Sequence, residues 1–283
     1  MSYESIGSWH ARGRNNFHLI RLLAALAVIY GHAYAIAAGG GADLYLRFVG
    51  NKFIGGVAVD IFFVVSGFLI AASLQRNSLA RYAWSRMLRI FPALVVAVLA
   101  SVFVLGPLLT TSDSYWSDGR TWAYLYNNAL MIRTEYFLPG VFETNPNSAV
   151  NGSLWSLPVE FRLYVVFFVI AAIGLLRTSR FFPTCLVLLM VGLVVVPQYP
   201  IFTEYRNWVN STIFFFAGAL VWMHRDEIRL SPWGVLAVLL ACVALRGSAG
   251  FTTAYMVALV YLVFYVAYAV RLPVIRRTDI SYG

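Results

Sequence analysis

Two ionisable side chains interrupt the first long apolar stretch of the chain, FHLIRLLAALAVIYGHAYAIAA. Arg21 and His32 lie eleven residues apart in this stretch. Eleven residues are close to three full helical turns, so a helix would present both side chains on one face, roughly 16 Å apart along its axis. An imidazole can serve as a general base near neutral pH. The pair therefore predicts one wall of a pore, with a cation near one mouth and an imidazole near the other.

A simpler interpretation of Arg21 and His32 is that they lie at opposite ends of a span and extend to the two interfaces. Ionisable residues inside membrane helices usually face a bundle interior or a wet cavity, because a charge in lipid is costly. This argument favours a functional interpretation. It is stronger for His32, which has no basic cluster around it.

Two carboxylates also fall inside apolar stretches. Asp60 lies one turn inside GGVAVDIFFVVSGFLIAAS, where it needs a cationic or hydrogen-bonding partner. Ser66 and Gly67 interrupt the same stretch, and a close helix–helix contact is their simpler explanation. Glu160 lies just inside the stretch SLPVEFRLYVV. If Glu160 and His32 meet on the outer side, they form a general base with an orienting partner; their spacing leaves open whether they do.

A third group of charges precedes the apolar stretch that begins at Ile90. Arg86 and Arg89 are three residues apart and share a helical face. Ordinary anchoring of a cytoplasmic end by basic residues would explain them. The pattern Arg-x-x-Arg-Ile-x-Pro instead favours binding of the phosphate groups of a cytosolic cofactor, because guanidinium forks match phosphate geometry. Pro92 is expected in the first turn of the span, where its missing N–H costs little.

The composition places all these residues in a membrane protein. The chain has 283 residues, 60% of them hydrophobic and 12% charged, and its mean hydropathy is +0.74. We predict an all-α polytopic helix bundle in a single membrane domain, without a cleaved signal peptide or a metal site, because its histidines and cysteines are scattered. The eight predicted spans are 17–38, 57–74, 90–109, 156–176, 182–196, 208–224, 233–245 and 251–270.

The distribution of basic residues predicts the orientation. With a cytoplasmic N-terminus, thirteen arginines fall inside and six basic residues fall outside, as the positive-inside rule requires. The net charge of +9 then reflects cytoplasmic loops, and no nucleic-acid partner is expected. The longest connection, 110–151, lies outside. Its aromatic and polar residues suit a sugar surface and an interfacial aromatic belt equally well.

Four blocks of the sequence resemble motifs of the acyltransferase-3 family of integral-membrane acyltransferases. They are Arg21-x10-His32, VDIFFVVSGFLI around Asp60 and Ser66, Arg86-x-x-Arg89-Ile-x-Pro92, and SLWSLPVE ending at Glu160. The last residues, DISYG, resemble the start of a fifth motif that normally continues with Tyr-Leu and a histidine. The family has about ten spans, so the resemblance implies that this chain is truncated at its C-terminal end.

The resemblance implies O-acylation of a cell-surface carbohydrate, such as O-antigen or exopolysaccharide, by a protein of the bacterial inner membrane. Acyl-CoA from the cytosol, acetyl-CoA in particular, would be the co-substrate. His32 would be the catalytic base or the acyl carrier, Arg21 would line the donor path, and Glu160 would support the acceptor side. The residues implied in cofactor binding are Arg86 and Arg89, at the CoA phosphates, and Ser66 and Asp60, which would shape the channel.

The rival interpretation is a proton-coupled exporter of a glycan or small solute. In that protein Asp60, His32 and Glu160 would form a proton relay. A membrane scaffold without chemistry would leave these intramembrane charges unexplained. A purified protein that shows no thermal shift with CoA, but does show one with a solute, would favour the exporter.

Overall fold

The computed structural model describes residues 4–13, 15–37, 43–50, 52–175 and 206–270. These residues form helices, apart from loops and one isolated antiparallel bridge between Ser5 and Arg229. Among them, five helical runs are long and apolar enough to cross a membrane: Phe17–Tyr34, Ile54–Arg76, Leu79–Leu109, Gly152–Ala172 and Phe251–Ala269. The prediction of an all-α transmembrane bundle is confirmed. The predicted span 182–196 and the motif at 279–283 lie outside the described residues.

Eleven α-helices are described, and three of them are extended by turns of other helical types. A wide, π-helical turn over Ser101–Leu105 joins α5 to α6, another over Tyr265–Ala269 follows α11, and a 3-10 turn over Gly152–Trp155 leads into α8. The helices are α1 (Ile6–Ala11), α2 (Phe17–Ala37), α3 (Leu44–Val49), α4 (Ile54–Arg76), α5 (Leu79–Ala100), α6 (Gly106–Leu109), α7 (Gly119–Ala129), α8 (Ser156–Ala172), α9 (Arg206–Met223), α10 (Pro232–Ala244) and α11 (Phe251–Phe264).

The helix that carries the two paired arginines begins earlier than its apolar stretch. The side chain of Ser78 accepts a hydrogen bond from the Arg81 N–H at 3.3 Å and caps α5. Arg86 and Arg89 therefore lie about two and three turns inside the helix. The expectation that Pro92 stands in the first turn is wrong. Pro92 lies in the helix interior, where it removes one backbone hydrogen bond of the helix.

The described residues divide into two compact units. The first contains the described residues of 1–28, 55–76 and 173–283, and the second contains those of 29–54 and 77–172. Helix α2 is continuous and carries Arg21 in the part that belongs to the first unit and His32 in the part that belongs to the second.

The first unit is built on a contact between α4 and α9 at the level of their backbones. A Cβ atom added to Gly67 would lie 1.8 Å from the carbonyl oxygen of Phe215, and one added to Gly218 would lie 2.0 Å from that of Val64. Both positions therefore admit only glycine. Gly67 thus makes the close helix–helix contact that its small size suggested.

Helix α1 is held to the rest of the first unit by a half-buried imidazole. The guanidinium of Arg76 donates to His10 Nε2 at 2.8 Å, and His10 Nδ1 lies 2.9 Å from the Tyr268 hydroxyl. Because a guanidinium only donates, Nε2 must accept, and the neutral ring carries its proton on Nδ1. Backbone bonds from Ile6 N–H to Ile228 and from Gly7 N–H to Arg225 complete the attachment.

Replacement of Gly67 by alanine should destabilise the protein by about 1–3 kcal/mol or more, because two backbones would have to separate. Gly119→Ala is the matched control, since a Cβ atom there meets nothing within 4 Å and alanine favours the helix. Thermal unfolding in detergent measures the difference. Equal melting temperatures for the two variants would contradict the proposed backbone contact.

The stability of the α1 attachment should depend on pH. Burial lowers the pKa of His10 from its usual 6.5, and the charges of Arg76 and Arg225 lower it further. The unfolded chain therefore binds the His10 proton more readily, and the protein should lose stability as the pH falls below about 6.5. His10→Gln retains an acceptor for Arg76 and does not titrate. Melting curves between about pH 8 and pH 5.5 should fall more steeply for the wild type than for this variant, and parallel curves would contradict the assignment.

Candidate active site in the second unit

His32 lies near the C-terminal end of α2, half-buried between a phenyl ring and a backbone turn. The ring centres of His32 and Phe53 are 5.9 Å apart and nearly perpendicular, at 80°. On another side, a Cβ atom added to Gly152 would lie 3.9 Å from His32 Cδ2, which is ordinary van der Waals distance. The turn that begins the NGSLW segment therefore packs beside the imidazole. A larger residue at position 152 would crowd it.

A buried carboxylate fixes the segment that supplies Phe53. Asp43 is 3% exposed and accepts hydrogen bonds from two backbone N–H groups. The first, from Leu46 at 2.7 Å, caps α3, and the second, from Ile54 at 2.8 Å, holds the start of α4. One side chain thus closes the loop that presents Phe53 to His32.

The NGSLW segment packs beside His32 at Gly152 and continues into α8, the helix that carries Glu160. The Asn151 side chain accepts from the Ser153 N–H at 3.1 Å and from the Ser153 hydroxyl at 2.6 Å, which caps the 3-10 turn. That turn continues directly into α8, and Glu160 lies one turn inside it. The hydroxyl of Tyr164, one turn further, donates to the Glu160 carboxylate.

The Arg86 guanidinium on α5 lies over two tyrosine rings, one on α5 and one on α8. Arg86 Cζ lies 6.0 Å from the ring centre of Tyr82 and 5.7 Å from that of Tyr164, within cation–π range. The Tyr82 hydroxyl donates to the carbonyl oxygen of Tyr164 at 3.0 Å and ties α5 to α8. Arg86 is thereby linked through Tyr164 to Glu160. Arg89, one turn further along α5, is half-buried.

The second unit thus contains His32, Arg86, Arg89 and Glu160, whereas the first unit holds the other predicted site residues. Arg21 is buried, with 4% of its surface exposed. Asp60 is fully buried and accepts a hydrogen bond from the Tyr255 hydroxyl at 3.4 Å. Ser66 is buried in α4, beside the Gly67 contact.

Three neighbours of these residues were not predicted. Tyr164 follows Glu160 at i+4, the spacing that places two side chains on one helical face, and this signal was present in the sequence. Asp43 and Phe53 carry no such signal, because their contacts depend on a loop conformation. In the part of the chain that the structure describes, no three His, Cys, Asp or Glu side chains come together as a metal site would require.

Comparison with known proteins decides the family. Residues 14–279 match the acyltransferase-3 family model, described as an acyltransferase domain. The chain belongs to the acyltransferase-3 family. It is therefore a multi-pass membrane protein and an acyltransferase for groups other than aminoacyl groups. All the site residues described above lie within the matched region.

Two relatives align over nearly the whole chain. The O-acetyl transferase of Shigella phage Sf6 is 28% identical over 281 residues, which cover 95% of this chain and 82% of the relative. Nodulation protein 10 of Rhizobium leguminosarum bv. viciae is 26% identical over 311 residues, which cover 97% of this chain and 82% of the relative. No solved structure shows significant similarity.

Removal of the Asp43 carboxylate should loosen the loop beside His32. We expect Asp43→Ala to lower the free energy of unfolding by about 1–2 kcal/mol, because it removes the cap of α3 and leaves the Ile54 N–H without its acceptor. Asp43→Asn keeps one carbonyl acceptor and should give an intermediate loss. Thermal unfolding of both variants in the same detergent provides the measurement. Wild-type stability of the alanine variant would show that Asp43 does not hold this loop.

Proposed function

We propose that the protein is an O-acetyltransferase that moves an acetyl group from cytosolic acetyl-CoA to a hydroxyl of a cell-surface carbohydrate, such as O-antigen or exopolysaccharide. The family membership supports acyl transfer, and the name of the phage relative, O-acetyl transferase, supports acetyl transfer to oxygen. The observation that carries the proposal is structural. One compact unit holds a half-buried imidazole, a pair of guanidinium groups and a half-buried carboxylate linked to one of them.

Arg86 and Arg89 are assigned to the phosphate groups of the donor. Both are half-buried on one side of α5, and guanidinium groups bind phosphate oxygens through paired N–H donors. The stacking of Arg86 on Tyr82 and Tyr164 holds its planar group in place before a ligand arrives. Less side-chain freedom then has to be lost on binding.

His32 is assigned to the proton of the acceptor. In one route its neutral imidazole takes the proton of a sugar hydroxyl while the oxygen attacks the thioester carbonyl. The C–S bond breaks, and the CoA thiolate leaves and collects a proton. In the other route a ring nitrogen of His32 attacks the thioester carbonyl, the C–S bond breaks and the CoA thiolate leaves with the ring proton. The sugar hydroxyl then attacks the N-acetyl group, the N–C bond breaks, and the released imidazole takes the hydroxyl proton. Glu160 supports the acceptor side in both routes.

The remaining predicted residues are assigned on their motifs. Arg21 would line the donor path, and Asp60 and Ser66 would shape it. A bacterial inner membrane with the N-terminus in the cytoplasm is the proposed location, supported by the excess of arginine in the segments placed inside. Arg86 and Arg89 then face the compartment that contains acetyl-CoA.

His32→Ala in the full chain should reduce acetylation at least about 100-fold, since general-base catalysis contributes factors of that size. The measurement is the O-acetyl content of the surface polysaccharide in a strain that depends on this protein. Arg86→Gln is the companion variant. The purified His32→Ala protein should keep its thermal shift with CoA, whereas Arg86→Gln should lose most of it.

Unchanged acetylation by His32→Ala would refute the assigned role of the imidazole. A wild-type protein without any CoA-dependent thermal shift would refute the acyl-CoA donor and would favour the proton-coupled exporter.

A further inference from the structure

We infer that Tyr164 is a positioning residue for two groups of the proposed site, Arg86 and Glu160, an inference that rests on the proposed function. Its ring supports the guanidinium assigned to the donor phosphates, and its hydroxyl orients the Glu160 carboxylate one turn away on α8. The two roles belong to different atoms of one side chain. They can therefore be separated by substitution.

The hydroxyl role follows from the surroundings of Glu160. Tyr164 is 2% exposed, so its hydroxyl is shielded from solvent and donates to the Glu160 carboxylate from one turn along the same helix. A hydrogen bond to a charged acceptor is roughly twice as strong as one between neutral groups. It therefore favours one orientation of the carboxylate. Without this donor, the Glu160 carboxylate loses one of the contacts that set its direction.

The ring role follows from the position of Arg86. The guanidinium carbon lies 5.7 Å from the centre of the Tyr164 ring, and the ring is present whether or not the hydroxyl is. A guanidinium stacked on an aromatic face gains about 0.5–1 kcal/mol at an exposed site and more when desolvated. This contact holds Arg86 near the position where a phosphate group would bind.

The backbone of Tyr164 is fixed independently of its side chain. Its carbonyl oxygen accepts the Tyr82 hydroxyl at 3.0 Å, and Phe91 on α5 packs edge-on against Phe161 on α8, with ring centres 5.6 Å apart. A substitution at position 164 therefore leaves the α5–α8 contact in place. The proposed effects then arise from the tyrosine side chain itself.

Tyr164→Phe and Tyr164→Leu separate the two roles. Tyr164→Phe removes the hydroxyl and keeps the ring, so kcat should fall about ten- to hundredfold while KM for acetyl-CoA stays unchanged. Tyr164→Leu removes both, so KM for acetyl-CoA should rise about two- to fivefold as well. Tyr115→Phe is the matched control, because the Tyr115 hydroxyl is equally buried and donates to the Val102 carbonyl oxygen at 2.8 Å. Its kcat and KM should match those of the wild type.

Wild-type kcat in Tyr164→Phe, measured alongside an inactive His32→Ala, would overturn the positioning role and leave the proposed function intact. An equal loss of kcat in Tyr164→Phe and Tyr115→Phe would also overturn it, since any buried hydroxyl would then have the same effect. Acetylation that persists in His32→Ala would instead overturn the proposed function. A fall in kcat confined to Tyr164→Phe, with KM changed only in Tyr164→Leu, would support both roles.

Discussion

The contact between α5 and α8 determines what the second unit can do. A transmembrane helix pair must satisfy its polar groups within the protein, because lipid offers no hydrogen-bonding partners. Here the tyrosines meet that requirement: Tyr82 bonds to a backbone carbonyl, and Tyr164 bonds to Glu160. Both also face Arg86, so charged groups that would be costly in lipid are held at a protein interface. The proposed chemistry of Arg86 and Glu160 depends on these contacts between α5 and α8.

The sequence predicted those features that depend on local spacing. Arg21 and His32 were expected on one helix because a single apolar stretch contains both, and α2 is continuous across them. The small size of Gly67 indicated a helix contact, and the structure places a carbonyl oxygen where its Cβ atom would be. The acyltransferase-3 family was expected from four short motifs. In each case the information lies within about twelve consecutive residues.

The start of one helix and the contacts between distant segments were missed. The start of α5 at Leu79 is set by the Ser78 cap, and a hydropathy criterion follows the apolar stretch rather than the cap. Asp43 is a loop residue in the sequence, and only the folded chain brings the Ile54 N–H to its carboxylate. The role of Tyr164 required knowledge that Arg86 lies over its ring. Spacing along one helix cannot show which residue of another helix comes close.

The glycine contact between α4 and α9 limits how the first unit can move. A carbonyl oxygen of α9 lies against Gly67 of α4, and a carbonyl oxygen of α4 lies against Gly218 of α9. Neither helix can therefore slide or rotate past its neighbour without a collision. The two must travel together as a rigid pair. Any widening of the first unit during a transfer cycle therefore has to occur along other helix boundaries.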